Sequence, residues 1–180
     1  MKLYHIDRSG HINQNQKLFL LKDYYTDVTD SEYFKDGLSS HGCRYFLGDH
    51  SNKDFAIDAI FEYERMINYP NQLSRYQAFF AFDEKGIINF IEKKELEDNY
   101  YKIYEIETDQ YEIHNFNLVR GWSHCTMSKY AKLYWGNGAD PNKDREPIYE
   151  YLIKLPVTIG REVKLSEIKK IIENKKQSKN

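Results

Sequence analysis

At 180 residues, with 41% hydrophobic and 30% charged side chains, the chain is expected to form one soluble domain, and a disordered polymer is excluded. Its net charge of −2, from 26 basic and 28 acidic residues, excludes a general binder of phosphate backbones, which carries a strongly basic balance. Cys43 and Cys125 stand far apart with no CxxC spacing, the opening MKLYHIDRSG turns polar too early for a signal peptide, and no apolar run approaches the ~20 residues of a membrane span, so a reducing cytoplasm is the expected location.

Lys2–Asp7 alternates at period two and stops at Arg8-Ser9-Gly10, which predicts a first strand and a turn. Residues 11 to about 51 lack a steady period and carry turn signals at Asp36-Gly37, His41-Gly42 and Gly48-Asp49; they predict a long loop with one short helix or strand. Residues 51–67 read as a helix capped by Ser51, with Ala56, Ile60, Tyr63 and Ile67 as its inward stripe, ended by Pro70. Residues 74–83 predict a strand with Tyr76, Ala78, Phe80 and Phe82 on one face. Asp83 then caps a helix that buries Ile87, Phe90 and Ile91.

Residues 100–108 alternate again, a polar stretch follows, and a helix is expected near 126–135. After a Gly/Asn/Asp/Pro loop, residues 149–159 predict one long strand bent or interrupted at Pro156, and Ser166 caps a last helix. The expectation is a single α+β domain over 1–180, with 164–180 as C-terminal helix and tail. Aromatic residues at 16%, chiefly Tyr and Phe, favour both a sheet and a ligand cleft.

No phosphate-binding Gly loop, nucleophile elbow or H-E-x-x-H motif is present, and the six histidines are scattered, so no metal site is expected. What stands out is polar residues set in apolar strands: His5 between Tyr4 and Ile6, Ser74 and Arg75 opening an aromatic strand, and Glu150 opening a long apolar one. Singly, each has a plain reading as a satisfied histidine, a surface ion pair or a solvated strand end. Together they suggest one polar cleft between split strands.

The segments LYHIDRSG at 3–10, DGLSSHG at 36–42, FEYERMINYP running into NQLSRYQAFFAFD at 61–83, IYEIE at 103–107, and AKLYWGN followed by YEYLIKLPV at 131–157 carry a resemblance by their order and spacing. In these the chain resembles a bacterial family of uncharacterised proteins, like domain of unknown function 2441, grouped with the ADP-ribosyltransferase fold. The resemblance implies a split β-sheet with flanking helices that binds NAD as substrate, releases nicotinamide and passes ADP-ribose to an acceptor. It implies His5 as the nucleotide-holding residue of the first strand, with Ser9 in the following turn. Ser74, Arg75 and Tyr76 would stand beside the nicotinamide ribose and phosphates, and Glu150 would be the catalytic carboxylate.

Such a carboxylate stabilises the positive charge that develops on the ribose as the glycosidic bond breaks. Arginine-modifying members carry a second acid two residues before the catalytic Glu; here that position is Ile148, and Glu146 and Glu105 are the nearest substitutes. This argues against an arginine acceptor and leaves a nucleic acid, another protein side chain or plain NAD hydrolysis open, with an antitoxin as a further partner if the protein is a toxin or phage-defence effector. Two alternatives stay open: a transferase of the same fold acting on an RNA-end phosphate, and an inactive module that binds a nucleotide or partner.

Overall fold

Alternation along β1 (Lys2–Asp7) sends Leu3 to one face of a sheet and Tyr4 to the other, and both side chains are fully buried. The computed structural model describes residues 1–22, 34–48, 53–97 and 100–177. After β1 come β2 (Lys17–Leu18), α1 (Ser40–Phe46), α2 (Lys53–Asn68), β3 (Ala78–Phe82), α3 (Glu84–Lys93), β4 (Lys102–Glu107) and β5 (Tyr111–Asn115). A short 3-10 turn (Phe116–Leu118) leads to α4 (His124–Trp135), β6 (Tyr149–Lys154), β7 (Val157–Val163) and α5 (Leu165–Gln177). The protein is α+β, with seven antiparallel strands and five helices among the described residues.

The strand order is β2-β7-β4-β1-β3-β6-β5, and the joint between β1 and β3 is weak. β1 pairs with β4 through six consecutive partners, and β3 with β6 through five, whereas β1 and β3 share one register pair, Tyr4 with Phe82. The sheet is therefore two blocks, β2-β7-β4-β1 and β3-β6-β5, that meet at one end and diverge towards the other.

One face packs Leu3, Phe79, Ile106 and Ile153 in a cluster to which no helix contributes among the described residues. On the opposite face α3 and α5 cover Tyr4, Phe82 and Ile103, while α2 and α4 bury Ala78 and Leu152 beneath Phe61 and Trp135. Asp83 caps α3 as expected, its side chain accepting from the Gly86 amide at 2.6 Å, and Ile87, Phe90 and Ile91 are buried. Ser123, rather than a residue nearer 126, caps α4 in a reciprocal capping box with Thr126.

Several expectations are corrected. Residues 149–159 are not one strand: β6 ends at Lys154, and β7 lies in the other block, between β2 and β4. Pro156 has no N–H to continue the ladder, so the chain leaves one block there and enters the other. The polar stretch after β4 contains β5, whose edge position leaves Ile113 exposed. The long loop holds both a strand, β2, and a helix, α1. Ser166 lies inside α5, and the amide preceding the helix, Lys164 N–H, donates instead to Glu167.

The inward face of α2 also differs. Ile57 and Phe61 are buried, whereas Tyr63 and Ile67 are 68% and 57% exposed. With them Asp58 and Glu62 turn inwards, two acids four residues apart on the buried side. The Ser51 cap lies outside the described residues.

Candidate functional site

Arg75, just ahead of β3, is 4% exposed and buried beneath α2 and α4. A guanidinium in such a place must be neutralised and hydrogen-bonded. Its Nε donates to Asp58 Oδ1 at 2.9 Å; its Nη1 donates to Glu150 Oε1 at 2.5 Å and to the Tyr134 hydroxyl oxygen at 2.9 Å. The Tyr134 hydroxyl in turn donates to Glu150 Oε1 at 2.8 Å. The guanidinium also lies over the rings of Phe80 and Tyr134, 4.9 and 5.4 Å from their centroids. Burial alone lowers the Arg75 pKa, but Glu150, Tyr134 and Asp58 outweigh it and hold the charge firmly on.

Each partner is fixed by its element. Glu150, 2% exposed, opens β6 opposite Phe82 on β3 and His114 on β5. Both of its hydrogen bonds from Arg75 and Tyr134 fall on Oε1, leaving Oε2 out of them. His114 stacks on Tyr134 at 4.5 Å and donates from Nδ1 to the Tyr134 carbonyl at 3.1 Å, which holds that tyrosine upright. Burial, then the neighbouring Glu150 charge, pushes the Tyr134 hydroxyl well above its usual pKa, so it remains a donor at neutral pH.

Asp58 is reached from its other side by α1. His41 Nε2 lies 3.5 Å from Asp58 Oδ2, too distant for a good hydrogen bond, and has no nearer partner. Gly42 lets α1 approach this closely: a Cβ there would stand 2.0 Å from the Tyr76 carbonyl oxygen.

Asp58 makes acid stability predictable. Burial raises its pKa, but the Arg75 guanidinium, helped by His41, prevails and holds it at about 2, below the ordinary 3.8. The folded state thus binds fewer protons than the unfolded one between these values. Its stabilisation is complete above about pH 4, fades as pH falls towards 2, and is on the order of 2 kcal/mol. We expect the thermal midpoint to drop across that window and Asp58→Asn to flatten the drop. A variant with the wild-type slope would assign the acid sensitivity to another group.

The residues singled out from sequence divide between two places. Ser74 and Arg75 both reach acids of α2: the Ser74 hydroxyl donates to Glu62 Oε2 at 2.8 Å, and Arg65 holds Glu62 Oε1. Ser74 is therefore committed to a protein carboxylate. So is Arg75, whose bonds run to Asp58, Glu150 and Tyr134 rather than out towards a phosphate. Tyr76 lies outside β3 and packs in a separate cluster with Phe34 and Leu38; burial pushes its hydroxyl pKa up. Ser9 donates to Asp7 Oδ1 at 2.6 Å, closing the turn after β1.

His5 does not join Arg75 and Glu150. It stacks on Phe79 at 4.1 Å, on the Leu3 face, while Glu150 leaves the sheet on the face of Phe82 and Tyr4. It bridges the diverging blocks instead: Nδ1 donates to the Phe80 carbonyl at 2.6 Å, which fixes the tautomer and leaves Nε2 as an acceptor. Enclosure lowers the His5 pKa from 6.5 to about 4, against that hydrogen bond, which raises it. The folded state therefore takes up its proton later than the unfolded chain, and the His5 contribution, intact above about pH 6.5, is lost as pH falls through about 4. In a proton NMR titration the His5 ring should titrate near 4; a midpoint near 6.5 would mean that the split is open to water at this point.

The rival acids stand elsewhere. Glu105 pairs with Arg161 and Lys2 at 3.0 and 3.2 Å in the other block, and Glu146 pairs with Lys85 at the exposed surface. Asp58, Glu62, His41 and Tyr134, which complete the network, were missed in the sequence; the available signal was a pair of acids beside Ile57 and Phe61. Among the described residues no three His, Cys, Asp or Glu side chains are grouped to hold a metal, Cys43 and Cys125 are free, and no helix is long and apolar enough to cross a membrane.

These features define an α+β protein with a seven-strand antiparallel sheet in two loosely joined blocks and a buried Arg–carboxylate–Tyr network beside the joint. Residues 3–173 match the model of the family described as "Protein of unknown function (DUF2441)", and the chain belongs to that family. No curated protein matches it.

Proposed function

We propose that this protein is an NAD-dependent ADP-ribosyltransferase. The observation that carries the reading is the Glu150 carboxylate, fixed through one oxygen by Arg75 and Tyr134 at the head of the strand beside β3, which itself borders the diverging joint of the sheet. In the reaction the bond between ribose C1′ and the nicotinamide nitrogen breaks, and its electron pair leaves with nicotinamide. Positive charge spreads over the ribose, where a fixed carboxylate is most stabilising, and an acceptor oxygen or nitrogen attacks C1′ and gives up its proton. Glu150 Oε2 is the oxygen assigned to the ribose. His5 Nε2, on the opposite face of the sheet from Glu150, is assigned to a nucleotide hydroxyl reached through the diverging joint, since it can only accept in the tautomer imposed by Phe80. Phe80 links the two sides of the sheet at the joint: its carbonyl holds His5, while its half-buried ring lies under the Arg75 guanidinium on the Glu150 side.

The burial that fixes Glu150 also favours a second reading. Arg75, Asp58 and Glu150 are each under a tenth exposed and satisfy one another, and such a closed network suits an inactive domain that binds a nucleotide or a partner. Incubation with NAD separates the two. Nicotinamide release that depends on added cell RNA, DNA or protein supports the transferase and identifies its acceptor class, whereas release without an acceptor indicates NAD hydrolysis. No release with any acceptor, in a protein that binds NAD, favours the inactive module.

A further inference from the structure

A cavity of roughly 600 Å³ opens between the edge strand β5 and the loop that joins α4 to β6. This is within the usual size of small-molecule sites, about 300–1,000 Å³. It is bordered by Ile113 and Tyr149, both largely exposed although apolar, and by the amide side chains of Asn115 and Asn142. Lys143, Arg145 and the acid Asp140 also line it, and no ion pair joins Lys143 or Arg145 to another described residue.

Further cations stand behind the Arg145 side of the cavity, with Asp140 in the lining and Asp144 between Lys143 and Arg145 as the nearby acids. Lys93 donates to a neutral partner, Asn117 Oδ1, at 2.6 Å, and Lys94 lies over the Phe116 ring. Arg120 is held by Asp140, at 2.6 Å, with its Nη1 enclosed and unpartnered. Burial, and then the charges of Arg145, Lys94 and Arg120, lower the proton affinity of Lys93, so these cations crowd one another; Asp140 is the acid that opposes them. Like charges gathered at a half-enclosed rim raise the local concentration of anions, even on a chain whose net charge is −2.

We propose that this cavity binds a mononucleotide, with its phosphate at Lys143 and Arg145 and its base against Tyr149 and Ile113, edge-on to Asn115 and Asn142. An Arg–phosphate fork supplies the charge-assisted contact, and a tyrosine face with amides at the side suits a planar, hydrogen-bonding ring. Tyr134 of the Arg75–Glu150 network also borders the cavity, but the residues assigned to the mononucleotide lie outside that network, so the inference does not rest on the transferase reading.

The test is calorimetric titration of the intact chain with AMP, adenosine and inorganic phosphate. AMP should bind saturably and more weakly as salt rises, and adenosine and phosphate should each bind at least about tenfold more weakly, since each lacks half of the recognition. The exposed charge reversals Lys143→Glu and Arg145→Glu, made together, should weaken AMP about ten- to hundredfold and leave the thermal midpoint and any nicotinamide release unchanged. Absence of saturable AMP binding, equal affinity for adenosine, or AMP binding that survives both reversals would overturn the proposal.

Discussion

Glu150→Gln should cut nicotinamide release about 100- to 1,000-fold, the usual consequence of removing one electrostatic contact made in the transition state. The amide keeps the shape of the side chain, and its oxygen can still accept from Arg75 and Tyr134, so the network keeps its geometry. What disappears is the negative charge that a developing ribosyl cation requires. The substitution has a second effect, because Glu150 is 2% exposed and is one of two carboxylates neutralising Arg75. The variant should unfold more easily by about 1–3 kcal/mol, the difference between a charge-assisted and a neutral hydrogen bond in a buried site. Rate and denaturation midpoint must therefore be measured together, at a temperature where both proteins are folded. Glu105→Gln and Glu146→Gln serve as controls, since both acids hold ion pairs with well-exposed cations, away from Arg75. Wild-type release by folded Glu150→Gln, with loss in either control or in Asp58→Asn, would move the catalytic carboxylate elsewhere.

Arg75→Met should be strongly destabilising. It leaves Asp58 and Glu150 facing each other in a site where both are under a tenth exposed, with no cation between them. Breaking a buried ion pair from one side costs about 3–5 kcal/mol, against a total of about 5–15 kcal/mol for a typical domain. Arg75→Lys should fall between the two, because a single ammonium cannot serve Asp58 from one edge and Glu150 with Tyr134 from another. In the double variant Arg75→Met, Glu150→Gln, part of the loss should return, since one unpaired charge has also been removed. Chemical denaturation of the four proteins closes the cycle. An Arg75→Met midpoint equal to the wild type would show that the carboxylates reach solvent, and the account of a sealed network would fail.

Much of the fold is written locally. Lys2–Asp7 is the first strand because its alternation is uninterrupted until Gly10, and α3 begins at Asp83 because an acid precedes Ile87, Phe90 and Ile91 at helical spacing. These signals need nothing beyond their own ten residues. The α2 stripe was half right: Ala56 and Ile60 pack against the core beside Ile57 and Phe61, but Tyr63 and Ile67, which fit the same helical period, turn outwards. Which side turned inwards was decided by what Arg75, 17 residues later, required of Asp58.

The same distinction governs the site. Residues 74, 75 and 150 are conspicuous in sequence because a polar or charged side chain in an apolar strand is costly without a partner. Their partners are acids and a tyrosine on helices, where such residues look like ordinary solvent-facing side chains. Strand partnership is likewise not local: residues 149–159 read as one strand bent or interrupted at Pro156, yet β6 joins β3 and β5 while β7 joins β4 and β2, because backbone hydrogen bonds take whatever edge the tertiary fold presents. His5 shows the limit most plainly. Its strand and its alternation were legible, but its partner, the Phe80 carbonyl on the far side of the joint, exists only because β1 and β3 part after a single pair.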